Sequence, residues 1–226
     1  TAVATSKYAP DGVKNKKLFG FTEITDGKGV IKMSDYKLWT PEEPYLYDLK
    51  IAAGDDIIES YFAMRKFSVG KDDKGVSRLM LNNKPYFMNG LLDQGYWSDG
   101  MYTAPSDDAL IYDIKTMKEL GFNTLRKHIK IEPLRWYYHC DRLGMIVWQD
   151  MINGGGEYNF KTIGVLPFFS MLFNNKHAGK VSDGKSHYKY FARDDEEGRK
   201  EYYEDSERMI DLLYNVPSIA LWTPFN

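Results

Sequence analysis

Apolar and polar residues along the first third of the chain alternate with the period of two that a half-buried strand requires. No stretch up to about Gly70 keeps a helical period. In Tyr45-Leu46-Tyr47-Asp48-Leu49-Lys50-Ile51 the odd positions are apolar and two of the three even ones are charged, as in an antiparallel strand with one wet face. The pattern predicts strands over Lys17–Glu23, Gly29–Trp39, Tyr45–Ala52 and Ile57–Val69, separated by turn-formers such as Thr25-Asp26-Gly27 and Gly54-Asp55-Asp56. Four or five such strands make a β-sandwich. About 70 residues is short of the ~100 of an immunoglobulin-like domain, so the expectation is a partial immunoglobulin-like sandwich whose leading strands precede the sequence.

The pattern changes at Lys71-Asp72-Asp73-Lys74-Gly75, a charged segment that sets the expected boundary between a domain at 1–70 and a second at 71–226. Beyond it the order reads strand Tyr86–Leu91, helix Ser106–Leu120, strand Asn123–His128, helix Pro133–Leu143 and strand Met145–Gln149. A long loop, a helix over about Glu196–Tyr214 and a strand Ser218–Trp222 follow. Ser106 is placed to cap the first helix, with Asp107 and Asp108 on the positive end of its dipole and Gly121 as terminator. The second helix opens on Pro133 and stops at Gly144. The strands Met145-Ile146-Val147-Trp148 and Ser218-Ile219-Ala220-Leu221-Trp222 are apolar at nearly every position, so both of their faces are expected to be covered. Strands alternating with helices imply a parallel sheet, either open and doubly wound or part of a (β/α)8 barrel. The roughly 150 residues available fall short of the ~250 of a whole barrel, so the barrel version is a first half of about four βα units.

Composition narrows the function. Thirty Lys+Arg against 32 Asp+Glu leave a net charge of -2, which argues against a nucleic-acid partner held by phosphate neutralisation. No apolar run approaches the ~18 residues of a membrane span, so no membrane partner is expected. The opening segment lacks the basic and apolar regions of a signal peptide, which leaves the compartment open. A single cysteine, Cys140, excludes an internal disulfide and a cysteine-only zinc site. Aromatic residues, at 15% of the chain, suit sugar faces but equally suit β-rich cores.

Several motifs carry less than their letters promise. The stretch from Gly179 to Ser186 satisfies the P-loop pattern, yet polar residues precede it and no helix start follows, so a polar surface loop is expected there. Gly154-Gly155-Gly156 belongs to no dinucleotide fingerprint and is expected to let a loop turn closely. No Gly-x-Ser-x-Gly, His-Glu-x-x-His or Cys-x-x-Cys is present, and no metal or cofactor is expected.

The remaining signal is positional. Ligands of α/β sheets sit outside the carboxyl ends of the strands. At those ends stand Asp93, Gln94, Tyr96 and Trp97; Arg126, His128 and Lys130; Trp148, Gln149 and Asp150; and Trp222, Phe225 and Asn226. Carboxylates and amides bond hydroxyls while indoles offer flat apolar faces, so this rim suits a polyhydroxylated ring. Singly, each residue has a structural role open to it: Trp148 as packing, Arg126 as a loop brace, His128 as a satisfied structural histidine.

Several ordered segments resemble glycoside hydrolase family 2, the group of β-galactosidases, β-glucuronidases and β-mannosidases. They are Leu38-Trp39-Thr40-Pro41 with Pro44-Tyr45-Leu46-Tyr47; Met64-Arg65-Lys66; Asn83 to Gly90; Asn123-Thr124-Leu125-Arg126; Trp136-Tyr137; Cys140-Asp141-Arg142-Leu143-Gly144; and Asn215 to Trp222 leading into Phe225-Asn226. The resemblance implies a retaining hydrolysis of β-glycosidic bonds by two glutamates, one protonating the departing oxygen and the other attacking the anomeric carbon. It aligns Asn226 with the asparagine immediately before the acid, so both glutamates are expected outside this chain, which alone is expected to be inactive. It also implies that Asn226 meets the sugar 2-hydroxyl, Arg126 positions the nucleophile, and Asp150 with Trp148 lines the subsite. Asp93, Trp97 and His128 complete the expected substrate-binding set. The family's usual histidine aligns with Ile129, one position beyond His128, and Leu92-Asp93-Gln94-Gly95-Tyr96-Trp97 follows neither the galactosidase nor the mannosidase form, so no sugar is assigned. The expected partner is a carbohydrate, with self-association through exposed half-barrel edges. A non-catalytic carbohydrate-binding module is the alternative.

Overall fold

The computed structural model describes residues 1–6, 18–154, 156–172 and 184–225. Two compact units divide the chain, one of Thr1–Asp150 with Leu213–Thr223 and one of Met151–Leu212 with Pro224–Asn226.

The first unit begins with a four-stranded antiparallel sheet of order β2-β1-β3-β4, built from β1 (Ala2–Ser6), β2 (Leu18–Thr22), β3 (Tyr47–Ala53) and β4 (Asp56–Phe62). β1 lies in a segment for which the alternation predicts no strand. The expected strand Gly29–Trp39 does not form. Its end makes a single bridge, Trp39 N donating to Met64 O at 2.8 Å, while the Tyr47 hydroxyl takes the Lys37 N–H at 2.6 Å. Side-chain bonding there replaces a ladder, so the segment runs as an irregular strap. The expected strand Ile57–Val69 is broken between β4 and β5 (Phe67–Lys71), where Arg65 turns away to donate to the carbonyls of Pro217, Val216 and Ile219.

The charged segment from Lys71 to Gly75 forms the turn of a hairpin between β5 and β6 (Ser77–Leu81). The Asp72 carboxylate accepts from Lys74 N, Val76 N and the Arg78 guanidinium, each at 2.9 Å. A short β7 (Lys84–Pro85) completes a three-stranded sheet.

The other four strands of this unit are parallel: β8 (Gly90–Asp93), β9 (Thr124–Lys127), β10 (Ile146–Asp150) and β11 (Ile219–Thr223), in spatial order β11-β10-β9-β8. Chain order and spatial order coincide, with none of the reversal that defines a doubly wound sheet. Helices α1 (Asp107–Glu119) and α2 (Leu134–Leu143) make the first two crossovers. The Ser106 hydroxyl caps α1 by accepting from Ala109 N, and Gly144 ends α2 in the left-handed conformation at φ 73°. Strand β8 starts later than the expected Tyr86–Leu91 because the chain first spends Lys84–Pro85 on β7. Coverage of the parallel sheet is uneven: Leu92, opposite Arg126 in the register, is 55% exposed.

The irregular strap, the antiparallel strands and the parallel sheet share one core. Trp39, Leu46 and Ile146 are fully buried, with Tyr61, Phe67, Met88 and Trp148 packed around them. Polar bonds fix the joint. The Trp39 indole donates to Asp141 O, the Tyr61 hydroxyl to Asp141 Oδ2, and Ser218 N to Asp141 Oδ1, each at 2.8 Å. The Lys118 ammonium donates to the carbonyls of Pro41, Leu143 and Gly144.

In the second unit, a π-helical turn at Lys161–Val165 runs into α3 (Leu166–Leu172), within what the pattern read only as a long loop. Most of the P-loop-like stretch, residues 179–183, lies outside the described residues, as does Gly155. Its described end enters a 3-10 helix at Lys185–Phe191, where no helix start was expected. Helix α4 (Glu196–Leu213) is acidic in its first turn and carries Lys200 and Arg208 near Glu204 at helical spacing. Among the described residues no helix is long and apolar enough to cross a membrane.

Candidate functional site

The register of the parallel sheet sorts the rim residues by face. Leu92, Arg126, Trp148 and Leu221 are mutually paired and share one face, while Asp93, Lys127, Gln149 and Trp222 share the other. On the first face, Arg126 and Asp150 lie across neighbouring strands, one at the third position of β9 and one at the end of β10. Arg126 Nε donates to Asp150 Oδ1 and Nη2 to Oδ2, both at 2.9 Å. Asp150 has 1% of its side chain exposed and Arg126 31%, so the carboxylate is sealed in and the guanidinium presents an edge. The bond to Asp150 pushes the Arg126 pKa further up against the opposing effect of burial. A charge-assisted fork of this kind fixes a cation in orientation.

Trp148 sits on the same face but serves packing. Its ring lies against the Trp39–Leu46–Ile146 cluster and its indole nitrogen is 3.1 Å from Met88 Sδ.

Asp93 belongs to the opposite face, in a buried network that includes two residues the sequence reading did not select, Lys127 and Glu132. Lys127, 1% exposed in its side chain, pairs with Asp93 at 2.9 Å and with Glu132 at 2.8 Å. Its ammonium also lies 4.3 Å from the Trp136 ring centroid. Lys130 reaches Glu132 at 2.9 Å and the carbonyls of Gly95 and Tyr102 at 2.8 Å each. Below this network the Tyr137 hydroxyl donates to Gln149 Oε1 at 2.7 Å, and the Gln149 amide donates to Lys130 O. Burial pushes the Tyr137 hydroxyl pKa well up, which keeps it a neutral donor.

The loop after β8 gathers the next residues. His128 N donates to Asp93 O at 2.9 Å, and the His128 ring lies 3.2 Å from the Gln94 amide, so His128 is a loop fastening here. Trp97 and Met101 exchange backbone hydrogen bonds at 2.7 and 2.9 Å, and the buried Trp97 indole nitrogen has no partner among the described residues. Asn226 lies outside the described residues. Phe225 stacks on Tyr202 within the second unit, with centroids 5.4 Å apart. The structure thus brings Arg126, Asp150 and Trp148 to one face, and Asp93, His128 and the Trp97 loop to the adjoining end of β8. Among the described residues no three His, Cys, Asp or Glu side chains are grouped to hold a metal ion.

Comparison with known proteins places this geometry in context. A family model described as the TIM barrel domain of glycosyl hydrolases family 2 matches residues 74–226, and a second model, of glycosyl hydrolases family 2, matches residues 2–65. A beta-galactosidase of Oenococcus oeni is 31% identical over 198 residues, covering 85% of this chain and 16% of the relative. One of Leuconostoc mesenteroides subsp. mesenteroides is 27% identical over 186 residues, covering 82% of this chain and 15% of the relative. Among solved structures, a beta-D-glucuronidase of Dictyoglomus thermophilum superposes with a TM-score of 0.68 at 20% identity, covering the whole of this chain and 33% of that one. The chain therefore spans about one sixth of the length of these curated relatives.

Proposed function

The chain belongs to glycosyl hydrolase family 2, and on that premise we propose that residues 1–226 are a fragment of a retaining β-glycosidase. In this reading residues 1–70 are part of an immunoglobulin-like sandwich and residues 71–226 the first half of a (β/α)8 barrel. The four antiparallel strands at the start and the unreversed order of β8 to β11 support the two architectures, while the boundary itself falls within the β5–β6 hairpin.

The proposed reaction is a double displacement. A glutamic acid protonates the departing glycosidic oxygen while a glutamate opposite, ~5–5.5 Å away, attacks the anomeric carbon and forms a glycosyl-enzyme. Water, deprotonated by the first residue, then releases the sugar with its configuration retained. Both glutamates lie outside residues 1–226 in this reading, the acid directly after Asn226, so a polypeptide of these residues alone does not turn over substrate. Arg126 orients the nucleophile carboxylate, Asp150 holds Arg126, Trp148 backs the subsite wall, and Asn226 meets the 2-hydroxyl. Asp93, Trp97 and His128 act through the β8 loop rather than from the strand face that carries Arg126.

The observation that carries this reading is the bidentate Arg126–Asp150 pair at the carboxyl ends of adjacent parallel strands. A guanidinium held in a fixed plane by a buried carboxylate is pre-oriented toward the end of the strands where the substrate is proposed to sit. Relatives named as beta-galactosidases and a solved beta-D-glucuronidase make β-galactosides and β-glucuronides the first substrates to test. The experiment is hydrolysis of a panel of 4-nitrophenyl β-glycosides by the full-length protein, with 2-fluoro glycosides to trap the covalent intermediate. Turnover of at least one β-glycoside, and a mass increase equal to the trapped sugar, are expected. Neither turnover nor labelling across the panel would overturn the reading.

A further inference from the structure

The segment between β8 and α1 is bonded too thoroughly to be a free loop. Lys130 spans its mouth: one ammonium donates to Gly95 O near its start and to Tyr102 O near its end, each at 2.8 Å, and pairs with Glu132 at 2.9 Å. Glu132 in turn pairs with Lys127, which holds Asp93, and Asp93 Oδ1 accepts from Gly95 N at 2.9 Å. Gly95 is at φ 63°, and a Cβ there would stand 2.3 Å from Glu132 Oε1 and 2.8 Å from Lys130 Nζ, so backbone and charges meet with no room left over. At the tip the Trp97–Met101 backbone pair closes a small hairpin.

On this fixed support two aromatic rings stand in the open. Tyr96 is 60% and Tyr102 58% exposed, with ring centroids 4.8 Å apart and hydroxyls bonded to each other at 2.6 Å. The Lys130 ammonium lies 5.4 Å from the Tyr102 ring centroid. The rings are tilted 41° to each other and Lys130 lies over Tyr102, so the exposed outer surface of the pair, Tyr96 above all, is what a ligand can stack on, and a pair already bonded together loses little further entropy when it does.

We infer that the Tyr96–Tyr102 pair is a sugar-stacking platform on the rim of the proposed glycosidase site, and that Lys130 is its positioning residue. The inference rests on the glycosidase reading and deepens it. It names a substrate with a second sugar ring beyond the bond cleaved, because the platform belongs to the β8 loop and not to the strand face that carries Arg126.

The test uses the full-length protein with two kinds of substrate, a β-linked disaccharide and the matching glycosyl fluoride, which has no second ring. Replacing both rings (Tyr96→Ser with Tyr102→Ser) is expected to raise the disaccharide KM about tenfold more than the glycosyl-fluoride KM. Lys130→Met, which keeps the side-chain stem, is expected to speed amide hydrogen exchange over residues 95–103 about tenfold or more, and to raise the disaccharide KM more than it lowers kcat. Equal KM changes for the two substrates would remove the platform while leaving the glycosidase reading intact. Unchanged exchange in Lys130→Met would remove the positioning role. If the wild-type protein neither cleaves nor binds any β-glycoside, both the glycosidase reading and the platform fall, and the exchange result still decides whether Lys130 sets the loop.

Discussion

Arg126 and Asp150, 24 residues apart in the chain, meet in a two-bond fork across adjacent parallel strands, with the carboxylate buried and the guanidinium partly open to solvent. Asp150 accepts both bonds in a place where water cannot replace them. Arg126→Ala is therefore expected to leave a sealed, unpaired carboxylate and to lower stability by about 2 kcal/mol, the partial exposure of Arg126 keeping the loss below that of a fully buried pair. Urea unfolding of the variant and of Asp150→Asn measures it. The asparagine variant, which removes the charge instead of stranding it, is expected to lose less.

Asp141 couples the joint between the first sheet and the parallel sheet to pH. Burial pushes its carboxyl up from 3.8 to about 6, and the bonds from Ser218 and Tyr61 and the nearby Arg65 oppose part of that rise. The folded state thus holds a proton that the unfolded state has released. The stability this provides is complete below pH 3.8, falls as pH rises, and is gone above about 6. The loss is on the order of 3 kcal/mol. Unfolding midpoints measured between pH 4 and 7 are expected to decline for the wild type and to stay flatter for Asp141→Asn, which cannot titrate.

Gly144 and Gly121 separate two costs of a left-handed residue. Both have positive φ, 73° and 91°, but a Cβ on Gly144 would stand 2.3 Å from Pro41 O whereas one on Gly121 would meet nothing within 4 Å. Gly121→Ala is expected to cost about 1 kcal/mol from backbone strain alone. Gly144→Ala is expected to cost clearly more, because the Pro41 strap must also shift. Paired thermal melts check the ranking.

How far these residues were legible in the sequence depends on how local their causes are. Helices α1 and α2 were plain, because Ser106, Gly121 and Gly144 punctuate them and their apolar period is unbroken. The break at Arg65 and the loss of the Gly29–Trp39 strand were not, since each answers to a side-chain bond that the local pattern does not carry: Arg65 to Pro217, far along the chain, and Tyr47 to Lys37 across a turn. The segment from Lys71 to Gly75 reads as a domain boundary, and forms a hairpin turn, because charge and glycine mark both alike. Arg126 and Asp150 could be selected from their place at strand ends. Asp93 does stand at a strand end, but the face it takes is a property of the register of β8 against β9, and that register puts it beside Lys127. Lys127 itself gave one overlooked signal, a cation inside a strand expected between two others, with Glu132 following to neutralise it.

The Lys127–Glu132 pair is a separate test of burial. Lys127→Met is expected to destabilise by about 2 kcal/mol, since the partly exposed Asp93 loses its cation and the buried Glu132 keeps only Lys130. Adding Glu132→Gln to that variant is expected to recover part of the loss, and the double-mutant cycle gives the coupling directly.

The most direct measurement is kcat/KM of the full-length protein on its best 4-nitrophenyl β-glycoside, wild type against Arg126→Lys, with the fold checked by circular dichroism and urea unfolding. A lysine keeps the charge but loses the fork proposed to align the nucleophile. A fall of about a hundredfold in a folded protein is expected. A folded Arg126→Lys variant within about twofold of wild type, against that hundredfold expectation, would contradict the assignment of Arg126 and Asp150 to the sugar-cleaving site.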